Sequence, residues 1–155
     1  MLSTTSAYAL RALAHLAQAP AGVYVLGRDL AAVADIPANY LSKILLALRN
    51  AGLIVTVRGI GGGYRLNKSP DGIRLLEVVE LFDRHPVVAP CVLDTGRSCS
   101  ENHPCIAHDR WCLVREAWAN FLESTNLEDI SRHHDGRATG RQVPRPAKRR
   151  GEARL

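Results

Sequence analysis

Four cysteines fall within 22 positions of this 155-residue chain: Cys91, Cys99, Cys105 and Cys112, in the pattern Cys-x7-Cys-x5-Cys-x6-Cys. Thiolates are soft ligands and nucleophiles, so such a density in one loop-rich region points to metal or redox chemistry. The Cys-x2-Cys knuckles of typical zinc sites are missing from the pattern. What the spacing offers is an irregular loop able to wrap an inorganic cluster with thiolates as iron ligands. On spacing alone, zinc or a thiol–disulfide switch stays open. His108 follows Cys105 in Cys-Ile-Ala-His, so if a helix has begun there the two side chains share a face and the imidazole can complete a coordination sphere. The candidate cofactor and metal ligands are therefore Cys91, Cys99, Cys105 and His108. Cys112 competes with His108, although packing as a small apolar residue suits it better. His15, His85 and His103 read as solvent-facing. No catalytic set emerges, because a cysteine nucleophile needs a base and an oxyanion site, and the glycine run at 59–63 lacks the Lys-Ser/Thr of a phosphate loop.

A second set of residues suits a polyanion. Asn39, Ser42 and Lys43 fall on the outer side of an amphipathic stretch, where they can reach base edges, and the Tyr40 hydroxyl can meet a phosphate. Arg58 precedes Gly59-Ile60-Gly61-Gly62-Gly63. The backbone of Gly61, Gly62 and Gly63 can approach a sugar-phosphate surface, Arg58 can enter a narrow minor groove, and Arg65 suits a phosphate. The blander reading is that the glycines only make a turn and the module binds protein.

The net charge of +5 is unevenly spread. Residues 1–74 hold eight Lys or Arg against three Asp or Glu, residues 75–131 four against ten, and residues 132–155 eight against two. A basic amino-terminal half fits a DNA-facing surface, since duplex affinity comes largely from neutralised phosphates. Residues 133–155, with His133-His134, scattered Gly and Pro and Lys148-Arg149-Arg150, bury nothing and read as a disordered basic tail. No long apolar run or secretory leader is evident, so a soluble cytoplasmic protein without a membrane partner or small-molecule substrate is expected.

The elements that must position these residues follow from periodicity. Ser3 and Thr4 can cap a helix with Leu10, Leu13, Ala14 and Ala17 on one face. A short helix over 28–34 directs Leu30, Ala31 and Val33 inward. After Asp35-Ile36, Pro37 opens a third helix carrying Tyr40, Leu41, Ile44, Leu45 and Leu48. The strand 53–58, the glycine turn and the strand 64–66 form a hairpin, which after a helix-turn-helix is a wing. A short helix over 75–82 with Leu76, Val79 and Phe82 inward comes next. Periodicity is lost between Pro86 and Asp109, and a helix over 110–124 with Trp111, Val114, Ala117, Trp118, Phe121 and Leu122 follows, with a last turn at 127–130. The expected fold is mainly α with a small β-hairpin: a winged helix-turn-helix (1–74), a cysteine-bearing loop with a long dimerisation helix (75–131), and a basic tail (132–155).

Ser6-Ala7-Tyr8-Ala9-Leu10-Arg11-Ala12-Leu13, Pro37 to Leu45, Leu48-Arg49-Asn50-Ala51-Gly52-Leu53-Ile54, Arg58 to Leu66 and the three following cysteines occur in that order. Together they resemble the Rrf2 family of bacterial transcription regulators from about Met1 to Ile130. The resemblance implies a homodimer on a double-stranded DNA operator, joined through the helix after the cysteine loop. It also implies regulation through an iron–sulfur cluster bound by Cys91, Cys99 and Cys105 with a variable fourth ligand. His108 matches the histidine of the branch that controls cluster-assembly genes and binds [2Fe-2S], whereas the groove-reading residues differ from that branch. The seven residues between Cys91 and Cys99 look more like the iron-responsive regulators of rhizobia, which carry a [4Fe-4S] type. Tyr8, with no Asp or Glu before Asp29, disfavours nitric-oxide sensors with an acidic ligand near the amino terminus. Iron, redox state or nitric oxide is the implied signal.

Overall fold

The computed structural model describes residues 2–83, 91, 93 and 99–131; His85, Pro86, Pro90 and the tail 132–155 lie outside them. The helices are α1 (Thr4–Gln18), α2 (Gly27–Val33), α3 (Ala38–Asn50), α4 (Leu75–Glu80), α5 (His108–Ser124) and α6 (Leu127–Ser131). Strands β1 (Ile54–Val57) and β2 (Gly63–Leu66) pair antiparallel, with Ile54 opposite Leu66 and Val57 opposite Gly63. Among the described residues no single helix is long and apolar enough to cross a membrane.

Local chemistry explains where the leading elements start and stop. The Ser3 hydroxyl caps α1 by accepting from the Ser6 amide at 3.2 Å. α2 ends in a Schellman turn: the Ile36 amide donates to Ala31 and the Asp35 amide to Ala32, with Asp35 left-handed at φ 52°. The chain then bends by 112° into α3, the crossing expected of a helix-turn-helix. Gly52, at φ +74°, stops α3 in the same way, its amide bonding Arg49 and that of Leu53 bonding Leu48.

The hairpin is wider than the sequence suggests. Val25, expected only as an extended link, exchanges both backbone hydrogen bonds with Tyr64 at 2.8 and 2.9 Å, a single antiparallel bridge along the free edge of β2.

One buried cluster joins α1, α2, α3 and β1 to Leu75, Val78 and Val79 of α4, Leu122 of α5 and Leu127 of α6. The chain after α5 returns to this core. The Leu127 amide donates to Ile73 at 2.8 Å and the Leu75 amide to Thr125 at 3.0 Å, while the Gln18 side chain bonds the Ser131 carbonyl. Two expected core assignments change. Val33 is 59% exposed, and Ala34 and Ile36, displaced by the Schellman turn, are buried in its place. In α4 the phase puts Leu75 and Val78 inside with Val79, leaving Leu76 and Phe82 half-buried at the edge of the cluster.

Candidate metal centre and nucleic-acid interface

The sulfurs of Cys91, Cys99 and Cys105 lie within 4.8 Å of one another, each residue half-buried. Cys91 Sγ and Cys105 Sγ are 3.3 Å apart, well beyond the roughly 2.05 Å of a disulfide bond. The Cys105 amide donates to Cys99 Sγ at 3.4 Å. Proton sharing splits the close pair. The hydrogen bond from Cys91, then one from the Ala107 amide, holds the Cys105 thiol below its ordinary range. In Cys91 a hydrogen bond from the Leu93 amide works downward, yet the shared proton and burial push the thiol up overall.

His108 is the first residue of α5, and its amide closes a turn onto the Cys105 carbonyl at 3.0 Å. Cys105 thus precedes the helix, and the imidazole reaches a different cysteine from the one its spacing suggested. Its Nδ1 lies 3.1 Å from Cys99 Sγ and its Nε2 3.5 Å from Cys112 Sγ. Cys112 is half-buried, and Arg115 Nη2 also approaches its sulfur at 3.9 Å. His103 is exposed on a tight turn in which its backbone pairs with Ser100, while His15, expected in solvent, is half-buried on α1. Trp111 Nε1 is buried with no hydrogen-bond partner among the described residues.

The candidate DNA-contacting residues lie on α3 and the wing. Asn39, Tyr40, Ser42 and Lys43 are all exposed along the first turns of α3. Ser42 Oγ donates to the Ala38 carbonyl at 2.9 Å, inside its own helix. The Tyr40 hydroxyl lies 2.7 Å from Thr5 Oγ1 and its ring meets Tyr8 edge-on, so α1 orients the tyrosine. Arg58 is exposed just after β1, and a cleft between α3 and the wing is lined by Ser42, Arg49, Thr56 and Arg58. Arg49, which helical spacing puts on the outer side of α3 with Asn39, Ser42 and Lys43, thus joins Arg58 in this cleft.

The wing residues divide by environment. Gly61 is exposed, but Gly62 and Gly63 are buried: a Cβ on Gly62 would meet the Val57 carbonyl oxygen at 2.3 Å, and one on Gly63 the Val25 oxygen at 2.4 Å. Their lack of a side chain answers a need of the wing itself. Arg65 is half-buried, its guanidinium 5.2 Å from the Tyr24 ring centroid and bonded to the Leu66 carbonyl.

Residues 2–133 match the family model Rrf2, described as an iron-dependent transcriptional regulator. The chain belongs to the Rrf2 family. The transcriptional regulator CymR of Bacillus subtilis is 29% identical over 135 residues, covering 87% of this chain and 92% of that protein. Its solved structure, described as that of the global cysteine regulator, matches with a TM-score of 0.72 at 26% identity, over 86% of this chain and 97% of CymR. The regulator IscR of Aliivibrio salmonicida is 31% identical over 102 residues, 66% of this chain and 60% of IscR. This Rrf2 protein is accordingly a winged-helix transcription regulator, not an enzyme.

Proposed function

We propose that this protein regulates transcription in the cytoplasm as a homodimer on a double-stranded operator, sensing iron, redox state or nitric oxide through an iron–sulfur cluster held by Cys91, Cys99, Cys105 and His108. The observation that carries the sensor half is the arrangement of donors in two close pairs, Cys91 with Cys105 at 3.3 Å and Cys99 with His108 at 3.1 Å. Two sulfurs on one tetrahedral metal, each about 2.3 Å from it, sit about 3.8 Å apart. Cys91, Cys99 and Cys105 would hold the cluster with His108 as the fourth donor, and an imidazole beside thiolates is a ligand set that a [2Fe-2S] centre accepts. The seven-residue spacing keeps [4Fe-4S] as the alternative nuclearity.

When bound, such a cluster supplies a redox-active centre open to oxidants and small ligands. The chain's own residues do the rest. Cys105 and His108 flank the start of α5, so whatever fixes their side chains fixes the first turn of that helix. α5 bears Leu113, Val114 and Phe121 exposed, an apolar face for the second subunit. Residues 1–74 supply the DNA grip: Asn39, Ser42 and Lys43 for base edges, Tyr40 for phosphate, and the wing with Arg58, Arg65 and the exposed backbone of Gly61 for the adjoining backbone or minor groove, the buried Gly62 and Gly63 shaping that wing. A loop that positions the dimer helix sets the separation of the two recognition helices, which must match half-sites about 34 Å apart. Residues 75–131 form the sensing and pairing segment, and 132–155 the basic tail.

The close approach of Cys91 and Cys105 also favours a second reading, in which the same cysteines hold zinc or close a disulfide. Anaerobic purification separates the two: a brown protein with visible absorption supports the cluster, and a colourless protein with stoichiometric zinc does not. DNA affinity of loaded and cluster-free protein at fixed salt tests the regulator, and equal affinities on a genuine operator would sink it.

A further inference from the structure

We infer that Cys112 is a positioning residue for the metal centre: its sulfur accepts a hydrogen bond from Nε2 of His108 and so leaves Nδ1 free to face the metal. This rests on the proposal that His108 is a ligand. Nδ1 points to Cys99 Sγ at 3.1 Å, while Nε2, on the opposite side of the ring, meets Cys112 Sγ at 3.5 Å. A neutral imidazole carries one N–H, so a ring that coordinates through Nδ1 must hold its proton on Nε2, where it needs an acceptor. Metal-ligating histidines nearly always have such a partner, and it fixes both the ring's rotation and its basicity.

Among the described residues Cys112 fills that place. It lies four positions after His108 on α5, one turn along the same helix face, so the contact is set by the helix and does not depend on the loop. Both residues are half-buried, which limits the competition from water for the Nε2 proton. Arg115 Nη2 also approaches the sulfur, at 3.9 Å, and helps to fix its place on the helix. The row His108, Cys112, Arg115 thus runs from the centre down one face of α5.

The test uses full-length protein reconstituted anaerobically with iron and sulfide, titrated with an iron chelator while the visible absorption is followed, together with its midpoint potential. Cys112→Ala is expected to lose iron at roughly 10–100-fold lower chelator concentration than the native protein, and to shift the potential. Cys112→Ser, which restores an acceptor of similar size, should recover most of the resistance. In a His108→Ala background, Cys112→Ala should add nothing further, because the two residues act as one unit. Native resistance and potential in Cys112→Ala would overturn the inference by making the thiol a bystander. An equal additional loss in the His108→Ala background would overturn it by making the sulfur a ligand in its own right. A native protein that takes up no iron, visible as a colourless sample before any variant is compared, would bring down the cluster proposal and this inference with it.

Discussion

Ser6 Oγ donates to Asp83 Oδ2 at 2.8 Å, across 77 positions of sequence, and the Ser3 amide reaches the same oxygen at 3.2 Å. The first turn of α1 is therefore held by a carboxylate eight positions ahead of Cys91. Thr5, between those two serines, lies 2.7 Å from the Tyr40 hydroxyl on α3. The start of α1 touches both Asp83, ahead of the cysteines in sequence, and α3.

That link is sensitive to acid. Burial works to raise the Asp83 carboxyl, but the hydrogen bonds from Ser3 and Ser6 prevail and hold it below the ordinary carboxylate range. A depressed folded-state pKa contributes stability at pH values above the unfolded pKa, about 3.9, and loses it as pH falls through the folded value. Asp83→Ala should cost about 1–2 kcal/mol near neutral pH by chemical denaturation, and the gap to the native protein should close below about pH 4. An unchanged gap at low pH would contradict the assignment.

Asp35 occupies a left-handed conformation at φ 52°, which costs a residue with a Cβ about 1–2 kcal/mol. Asp35→Gly should raise thermal stability, since the Asp35–Arg11 ion pair it removes is long at 3.7 Å and the carboxylate is fully exposed. Arg11→Ala should do the reverse, by about 1–3 kcal/mol, because its guanidinium hydrogen-bonds the Ala34 and Asp35 carbonyls that form the turn.

The glycines of the wing should not respond alike. Gly62→Ala and Gly63→Ala force a Cβ into backbone carbonyls and should each destabilise the fold by more than about 2 kcal/mol. Gly61 has open space around its Cβ position and only a positive φ to satisfy, so Gly61→Asn should stay within about 1 kcal/mol of native. Thermal melts of the three variants distinguish steric need from a need for DNA approach; a DNA defect in stable Gly61→Asn would assign the latter to Gly61.

Lys43→Ala and Arg58→Ala should fold normally, both residues being exposed. If each neutralises one phosphate, the slope of log affinity against log salt falls by about one per substitution. If Lys43 reads a base edge instead, the loss concentrates on one operator position. Binding isotherms at several salt concentrations on the native and substituted operator decide between them.

The outer face of α5 should govern assembly. Leu113 is 57% and Val114 53% exposed, a poor arrangement for a lone helix in water. Val114→Glu should shift sedimentation from dimer toward monomer and weaken operator binding at least tenfold, while leaving the helical signal of each subunit intact. A dimer indifferent to this change would have to use another surface.

Sequence alone determined the order and type of the elements, because each is written in local terms. Ser3 marks a helix start, Gly52 a helix stop, Pro37 the opening of the recognition helix, and the glycine run a hairpin. It also brought Cys91, Cys99, Cys105 and His108 forward together, since residue type and closeness along the chain carry that signal. What it left undecided depends on distances between segments remote in sequence. The pairing of Val25 with Tyr64 has no local signature, so the burial of Gly63 against it could not be read. Nor could the capture of Asp83 by the first turn of α1, or the stacking of Arg65 on Tyr24 that removes it from a purely phosphate-facing role. Whether His108 turns toward Cys105 or Cys99 depended on where α5 begins, since each residue of shift there rotates the imidazole by about 100° around the helix. Only the tertiary structure fixes that rotation, and with it the contact to Cys112.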